Sequence, residues 1–91
     1  MRVQWTQKGL SDLVRLHEFL SPVNPRAAAK AIQALTGAAA GLTAHPRIGS
    51  RLDQFDPREV RRLIVGQYEV RYEIQDSMVF VLRLWHTRED R

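Results

Sequence analysis

The sequence predicts an α+β domain that runs strand, antiparallel helix hairpin, three-stranded antiparallel meander, in the order β-α-α-β-β-β. Three observations carry this. Tyr68, Val70, Tyr72 and Ile74 alternate with Glu69, Arg71 and Glu73, the period of two of a half-buried strand. The stretch from about residue 8 to 44 instead repeats its apolar side chains at helical spacing, with one interruption at Ser21-Pro22. Gly66-Gln67 and Gln75-Asp76-Ser77 then separate strand-like runs by loops so short that the strands must be antiparallel neighbours.

Arg2 to Trp5 reads as a short first strand, with Val3 and Trp5 on one side. Thr6 can cap the helix that follows, because its hydroxyl can accept from an otherwise unpaired N–H of the first turn. Over about 8–20, Leu10, Leu13, Val14, His17 and Leu20 share one face, widened by Leu16 and Phe19. Asn24-Pro25 restarts the helix, Asn as cap and Pro at the first helical position, and the second helix runs to about Ala44. Its buried face takes Ala28, Ala31, Ile32, Leu35, Ala38, Ala39 and Leu42. Gly37 and Gly41 cost helix propensity, about 1 kcal/mol each against Ala, and close approach to the first helix is their expected return. A loop from His45 to Pro57 is anchored by Leu52 and Phe55. Strands follow at Arg58–Val65, Tyr68–Ile74 and Met78–His86. Met78 to Leu82 is apolar at every position, as in a strand covered on both faces, so the N-terminal strand is expected beside it.

Ninety-one residues, 44% hydrophobic and 26% charged, fit one globular domain over 1–91 and not a disordered chain. The absence of cysteine excludes a disulfide framework and thiolate chemistry. No apolar run approaches a membrane span, and Met1-Arg2-Val3-Gln4-Trp5 lacks the layout of a signal peptide, so a cytoplasmic location is expected. The net charge of +4 is carried by 12 Arg and only 2 Lys. Codon composition and selection for guanidinium contacts both account for that bias. Residues 45–91 hold 9 basic and 8 acidic side chains, so any cationic patch there must be made by folding.

Register decides what the meander brings together. A two-residue turn at 66–67 pairs Val65 with Tyr68, Leu63 with Val70 and Arg62 with Arg71. A three-residue loop at 75–77 pairs Ile74 with Met78, Tyr72 with Phe80 and Val70 with Leu82, setting Glu69 opposite Arg83, whereas a two-residue loop at 76–77 would set Arg71 opposite Leu82; the first keeps apolar opposite apolar and is expected. Arg62, Arg71, Arg83 and Trp85 then share the face away from the helices, with Glu69 and Glu73 among them. Two readings fit that face: a solvated, charge-balanced surface, and a site for RNA, DNA or an acidic protein segment on which Trp85 offers a stacking platform.

His86 is the one residue near this face with general acid–base capacity, although strict alternation points it to the core side. His17 reads as a structural residue on the apolar face of the first helix, and His45 as a capping or surface residue. The three histidines lie 28 and 41 residues apart with no cysteine, so neither a metal site nor a cofactor is expected. No Gly-rich phosphate loop, nucleophile elbow or paired-carboxylate motif is present.

Nearly the whole chain resembles the RelE/ParE toxins of bacterial type II toxin–antitoxin modules. The carrying segments are Asp12-Leu13, Pro46-Arg47-Ile48-Gly49, the run from Arg58 to Ile74 with its Gly66-x-Tyr68-x-x-x-Tyr72 pattern, and Trp85-His86-Thr87-Arg88-Glu89. The resemblance implies one of two activities. RelE-like members cleave mRNA on the ribosome and carry an arginine directly after the tyrosine that opens the second strand of the meander, often with a late tyrosine. Here that position is Glu69, and no aromatic residue follows Trp85. A carboxylate is electrostatically wrong for holding a scissile phosphate. Arg83, His86 and Arg88 are the candidates for a ribonuclease role. ParE-like members bind DNA gyrase and are not nucleases, and the similarity is better to that branch. A non-toxic, antitoxin-dependent accessory is the third reading. The resemblance also implies a cognate antitoxin, expected to carry an acidic amphipathic tail that lies in the groove between hairpin and sheet, bordered by Leu13, Leu16 and Leu35.

Overall fold

A computed structural model describes residues 1–89. Strand β1 (Arg2–Trp5) leads into helices α1 (Gln7–Leu20) and α2 (Pro25–Gly41). A two-residue strand β2 (Ser50–Arg51) and a 3-10 turn (Asp53–Phe55) follow. The meander is β3 (Glu59–Val65), β4 (Tyr68–Gln75) and β5 (Met78–His86). The sheet order is β1-β5-β4-β3-β2, with β1 parallel to β5 and the other pairs antiparallel. The expected order therefore forms, and β2 is an addition that the sequence pattern does not announce.

Both helix starts are set by the expected caps. Thr6 Oγ1 accepts from Gly9 N at 3.0 Å, and Asn24 Oδ1 accepts from Ala27 N at 3.1 Å ahead of Pro25. The inward face of α1 differs from the expected stripe. Gly9, Asp12 and Leu16 are buried with Leu13 and Leu20 beside them, whereas Leu10, Val14, His17 and Phe19 are exposed. His17 is thus a surface residue. On α2 the buried positions are Ala28, Leu35 and Ala39, with Leu42 buried just past the helix.

Gly37 and Gly41 do not mediate close helix packing: a Cβ at either would meet nothing within 4 Å. The close approaches lie elsewhere. A Cβ at Gly9 would stand 2.6 Å from Val81 O, and one at Gly49 would stand 2.5 Å from Arg62 O and 2.7 Å from the Tyr72 hydroxyl. Gly9 lets α1 seat directly on the backbone of β5.

The β3–β4 register is the expected one, Val65 with Tyr68, Leu63 with Val70 and Arg62 with Arg71. Gly66 sits at φ +60 in the turn between them, where a side chain would be strained. The β4–β5 register is not. Its turn is Asp76-Ser77, with Asp76 at φ +53, so Gln75 faces Met78, Ile74 faces Val79 and Tyr72 faces Val81. A bulge then absorbs Leu82, after which Arg71 faces Arg83, Val70 faces Leu84 and Glu69 faces Trp85. The bulge turns Val79, Val81 and Leu84 all toward the helices and keeps Arg83 out of the core. It is fixed from outside the meander: the Thr6 hydroxyl lies 2.9 Å from Val81 O and 3.1 Å from Leu82 O, and Thr6 N donates to Val81 O at 3.1 Å.

One core cluster joins Leu16, Leu35 and Ala39 to Val70, Val81 and Leu84, and a second holds Leu42, Tyr72, Ile74 and Val79. Tyr72 is inward with no exposed surface, and its hydroxyl donates to Pro46 O at 2.7 Å and accepts from Gly49 N at 3.0 Å. The Pro46-Arg47-Ile48-Gly49 segment is pinned to the sheet by that phenol. Glu59 adds to the pinning, holding Arg47 in a two-point ion pair and Arg61 through Nε.

Candidate functional site

The face of the sheet away from the helices carries a row of three arginines. Arg62 lies opposite Arg71 on β3 and β4, and Arg71 lies opposite Arg83 on β4 and β5. Like charges directly opposed on neighbouring strands repel, so this row requires anions. Glu69 supplies one, 3.1 Å from Arg71 Nη2 and 3.8 Å from Arg62 Nη1. Asp12 supplies the other. Its carboxylate accepts from Arg83 Nε at 2.7 Å, from Arg83 Nη2 at 3.1 Å and from the Leu84 backbone N–H at 3.0 Å. Where β1 has ended, Asp12 thus takes over the β5 edge and draws the Arg83 side chain around it. Beside the row, Arg58 pairs with Glu73 through Nε and Nη2 at 3.1 and 2.7 Å, and Gln75 adds a third bond to that carboxylate.

Asp12, Glu69 and Glu73 are all buried, whereas the arginine side chains they hold are partly exposed, although Arg71 Nε itself is buried without a hydrogen-bond partner among the described residues. Burial pushes the Asp12 carboxyl up. The Arg83 hydrogen bonds, the Leu84 N–H and the charges of Arg83 and Arg15 outweigh that and leave it below the ordinary aspartate value. The Arg58 hydrogen bonds likewise hold Glu73 below the ordinary glutamate value against its burial, with Gln75 helping. Arg47, with Arg61, does the same for Glu59. The Tyr72 phenol is pushed up, chiefly by burial.

Trp85 is only 8% exposed, and the Arg71 guanidinium lies 4.7 Å above its ring, so the indole is a packed partner of Arg71 and not an open stacking platform. Phe55, brought over the sheet by the 3-10 turn, lies 5.5 Å from Arg71 and 6.0 Å from Arg58. Arg71 therefore touches two aromatic rings and one carboxylate.

The three ribonuclease candidates do not converge. Arg83 lines a groove of about 560 Å³ with Lys8, Phe55, Arg58, Arg71 and Leu82. His86 and Arg88 line another, of about 360 Å³, beside Arg15, Leu16, Phe19 and Tyr68. The His86 ring meets Tyr68 edge-on at 5.3 Å. Its Nδ1 accepts from Arg88 N at 3.1 Å, so Nε2 carries the proton toward Gln67 Oε1 at 3.1 Å. This is the core-side placement that alternation implied.

Of the residues expected to border an antitoxin, Leu16 and Leu35 belong to the core and Leu13 is half-buried against it. The accessible apolar side chains of α1 are instead Leu10, Val14 and Phe19, exposed by 49%, 55% and 74%. Sequence reasoning also passed over Asp12, Phe55 and Arg58 as parts of the sheet face. The one available signal was Asp12 itself, an acid four positions before the buried Leu16. Among the described residues no group of His, Cys, Asp or Glu could hold a metal ion, and no helix is long and apolar enough to cross a membrane.

The fold is matched by a solved structure, the "Chromosomal ParDE TA system from P. aeruginosa", with a TM-score of 0.79, 21% identity, and coverage of 94% of this chain and 95% of that one. A strand, a helix hairpin and an antiparallel meander in this arrangement define a toxin fold of the RelE/ParE superfamily. The chain belongs to the ParE toxin family of type II toxin–antitoxin systems: the family model described as "ParE toxin of type II toxin-antitoxin system, parDE" matches residues 3–91. It is similar as well to "Toxin RelE2" of Caulobacter vibrioides, 32% identical over 85 residues that cover 93% of each chain.

Proposed function

We propose that this chain, as one toxin domain over 1–91, arrests growth by binding DNA gyrase and is neutralised by a cognate antitoxin. The observation that carries the binding reading is Glu69. The resemblance implies that cleaving relatives hold an arginine at this position. Here a buried carboxylate occupies it and is tied to Arg71 at 3.1 Å. Negative charge at that point repels a scissile phosphate. The separation of Arg83 from His86 and Arg88 supports the same conclusion. A gyrase inhibitor works in the cytoplasm and needs neither metal nor organic cofactor. The antitoxin partner is proposed to lay an acidic amphipathic segment on α1, with Leu10, Val14 and Phe19 as the apolar contacts in place of the interior Leu16 and Leu35.

The second reading, ribosome-dependent mRNA cleavage, is what a resemblance to RelE-like members implies, and the chain is 32% identical to a relative called Toxin RelE2. Inducing the chain alone and following pulse-labelled DNA, RNA and protein over the first minutes separates the two. The binding reading expects DNA synthesis to fall first, with an SOS response, and purified protein to inhibit gyrase supercoiling. Translation stopping first, with cut mRNA that disappears in Arg83→Ala or His86→Ala, refutes it.

A further inference from the structure

The groove between the first turn of α1 and the outward sheet face joins a cationic rim to an apolar floor. Lys8, Arg58, Arg71 and Arg83 form the rim, and Phe55 and Leu82 the floor. The rim is preorganised. Arg58 and Arg83 each bind their buried carboxylate through Nε and Nη2, and Arg71 binds Glu69 through Nη2. In all three, Nη1 makes no hydrogen bond among the described residues. The three carboxylates are buried and the arginine side chains are more exposed, so a ligand meets guanidinium donors while much of the compensating charge is occluded. Lys8 adds a cation that makes no ion pair among the described residues.

Two classes of polyanion could answer that charge, and the rest of the groove distinguishes them. A single-stranded nucleic acid needs an open aromatic face for its bases. Trp85 is covered by Arg71, and Phe55 has a guanidinium group within 6.0 Å on account of both Arg58 and Arg71. A phosphodiester backbone also has no apolar group to place on Leu82, which the bulge sets on the groove floor. A peptide that alternates carboxylates with an apolar residue satisfies both features. We propose that this groove binds an acidic, extended protein segment carrying an apolar anchor, with the anchor on Leu82 and its carboxylates on Lys8, Arg58 and the Nη1 groups of Arg71 and Arg83. This rests on the binding-protein reading and gives it a ligand chemistry.

The test uses a fluorescein-labelled peptide of about ten residues, Glu and Asp flanking one central Leu, titrated with the full chain and followed by anisotropy. Saturable binding in the range of about 10–100 μM, weakening as salt rises, is expected. Lys8→Glu, a change at an exposed and unpaired position, should weaken it about three- to tenfold. Lys30→Glu, at an exposed position of α2, should leave it within about twofold. A peptide with the Leu replaced by Ser should bind about threefold more weakly. Preference for a labelled single-stranded oligonucleotide of matched charge overturns the proposal, as does equal weakening by Lys8→Glu and Lys30→Glu. Absence of peptide binding by protein that still inhibits gyrase overturns the groove assignment and leaves the binding-protein reading standing.

Discussion

Asp12→Asn separates the contribution of charge at the α1–β5 junction from that of shape. The carboxylate accepts three hydrogen bonds, two from Arg83 and one from Leu84 N, and is buried. The Asn side chain is nearly isosteric and its carbonyl oxygen can keep the Leu84 bond, but its amide turns a donor toward a guanidinium group. The loss is that of charge-assisted bonds, about 1.5–3 kcal/mol. It is taken at the lower end because the Arg83 side chain is 35% exposed and can recover hydration. The expected cost is about 1.5–2 kcal/mol, or roughly 6–16 °C in Tm for a chain of this size. Asp12→Ala also orphans the Leu84 N–H and should cost about 3–4 kcal/mol.

The pH dependence supplies the sharper criterion. The folded-state pKa of Asp12 lies below its ordinary value of 3.8. The stabilisation is therefore complete above that value and is lost as pH falls through the depressed one. Glu59 and Glu73 are depressed in the same direction, but they act alike in wild type and variant and cancel in the difference. Urea unfolding followed by tryptophan fluorescence and circular dichroism should give the full gap at pH 7 and a much smaller one near about pH 2. A gap of equal size at both pH values, or an Asn variant as stable as wild type at pH 7, refutes the role assigned to this ion pair.

The glycines give opposite expectations from the same substitution. Gly37→Ala fills open space within α2 and should stabilise by about 0.5–1 kcal/mol, whereas Gly9→Ala drives a Cβ onto the Val81 carbonyl and should cost about 1–3 kcal/mol; thermal melts decide both. Tyr72→Phe removes the bonds to Pro46 O and Gly49 N and should cost about 1–3 kcal/mol. Amide exchange at Gly49 should quicken in that variant, and an unchanged exchange rate contradicts the pinning.

What was legible in the sequence was what short-range pattern controls. The alternation of Tyr68 to Ile74, the caps Thr6 and Asn24, and the Gly66 turn each act within a few residues, and each forms as expected. The β4–β5 register was not legible, because a three-residue loop keeps apolar opposite apolar, whereas the two-residue turn that forms needs a bulge at Leu82, and that bulge is held by Thr6, 75 positions before Val81. The same distance hid Asp12: its partner Arg83 lies 71 positions later, and an acid on an inward face has no local signature. The inward face of α1 was misjudged for a related reason. Helical spacing allowed a stripe through Leu10, Val14 and His17, and only the close seat of Gly9 on β5 selects the rotation that buries Asp12 and Leu16.

That rotation also ties the sheet face to the helix hairpin. Arg83 belongs to the outward row by register and to α1 by its ion pair, so the row is anchored at one end by the element on which the antitoxin is proposed to lie. At Arg62 and Arg71 the compensation comes from Glu69 on the face itself, and Trp85 and Phe55 complete the surroundings of Arg71. None of these contacts is part of the two hydrophobic clusters that hold helices to sheet. A change of sign at position 69 would therefore leave the core intact. It would replace a closed ion pair with a third cation beside Arg62 and Arg71, a geometry for holding phosphate. The same fold can thus carry either sign of charge at this point, and in this chain the carboxylate at 69 neutralises part of the row.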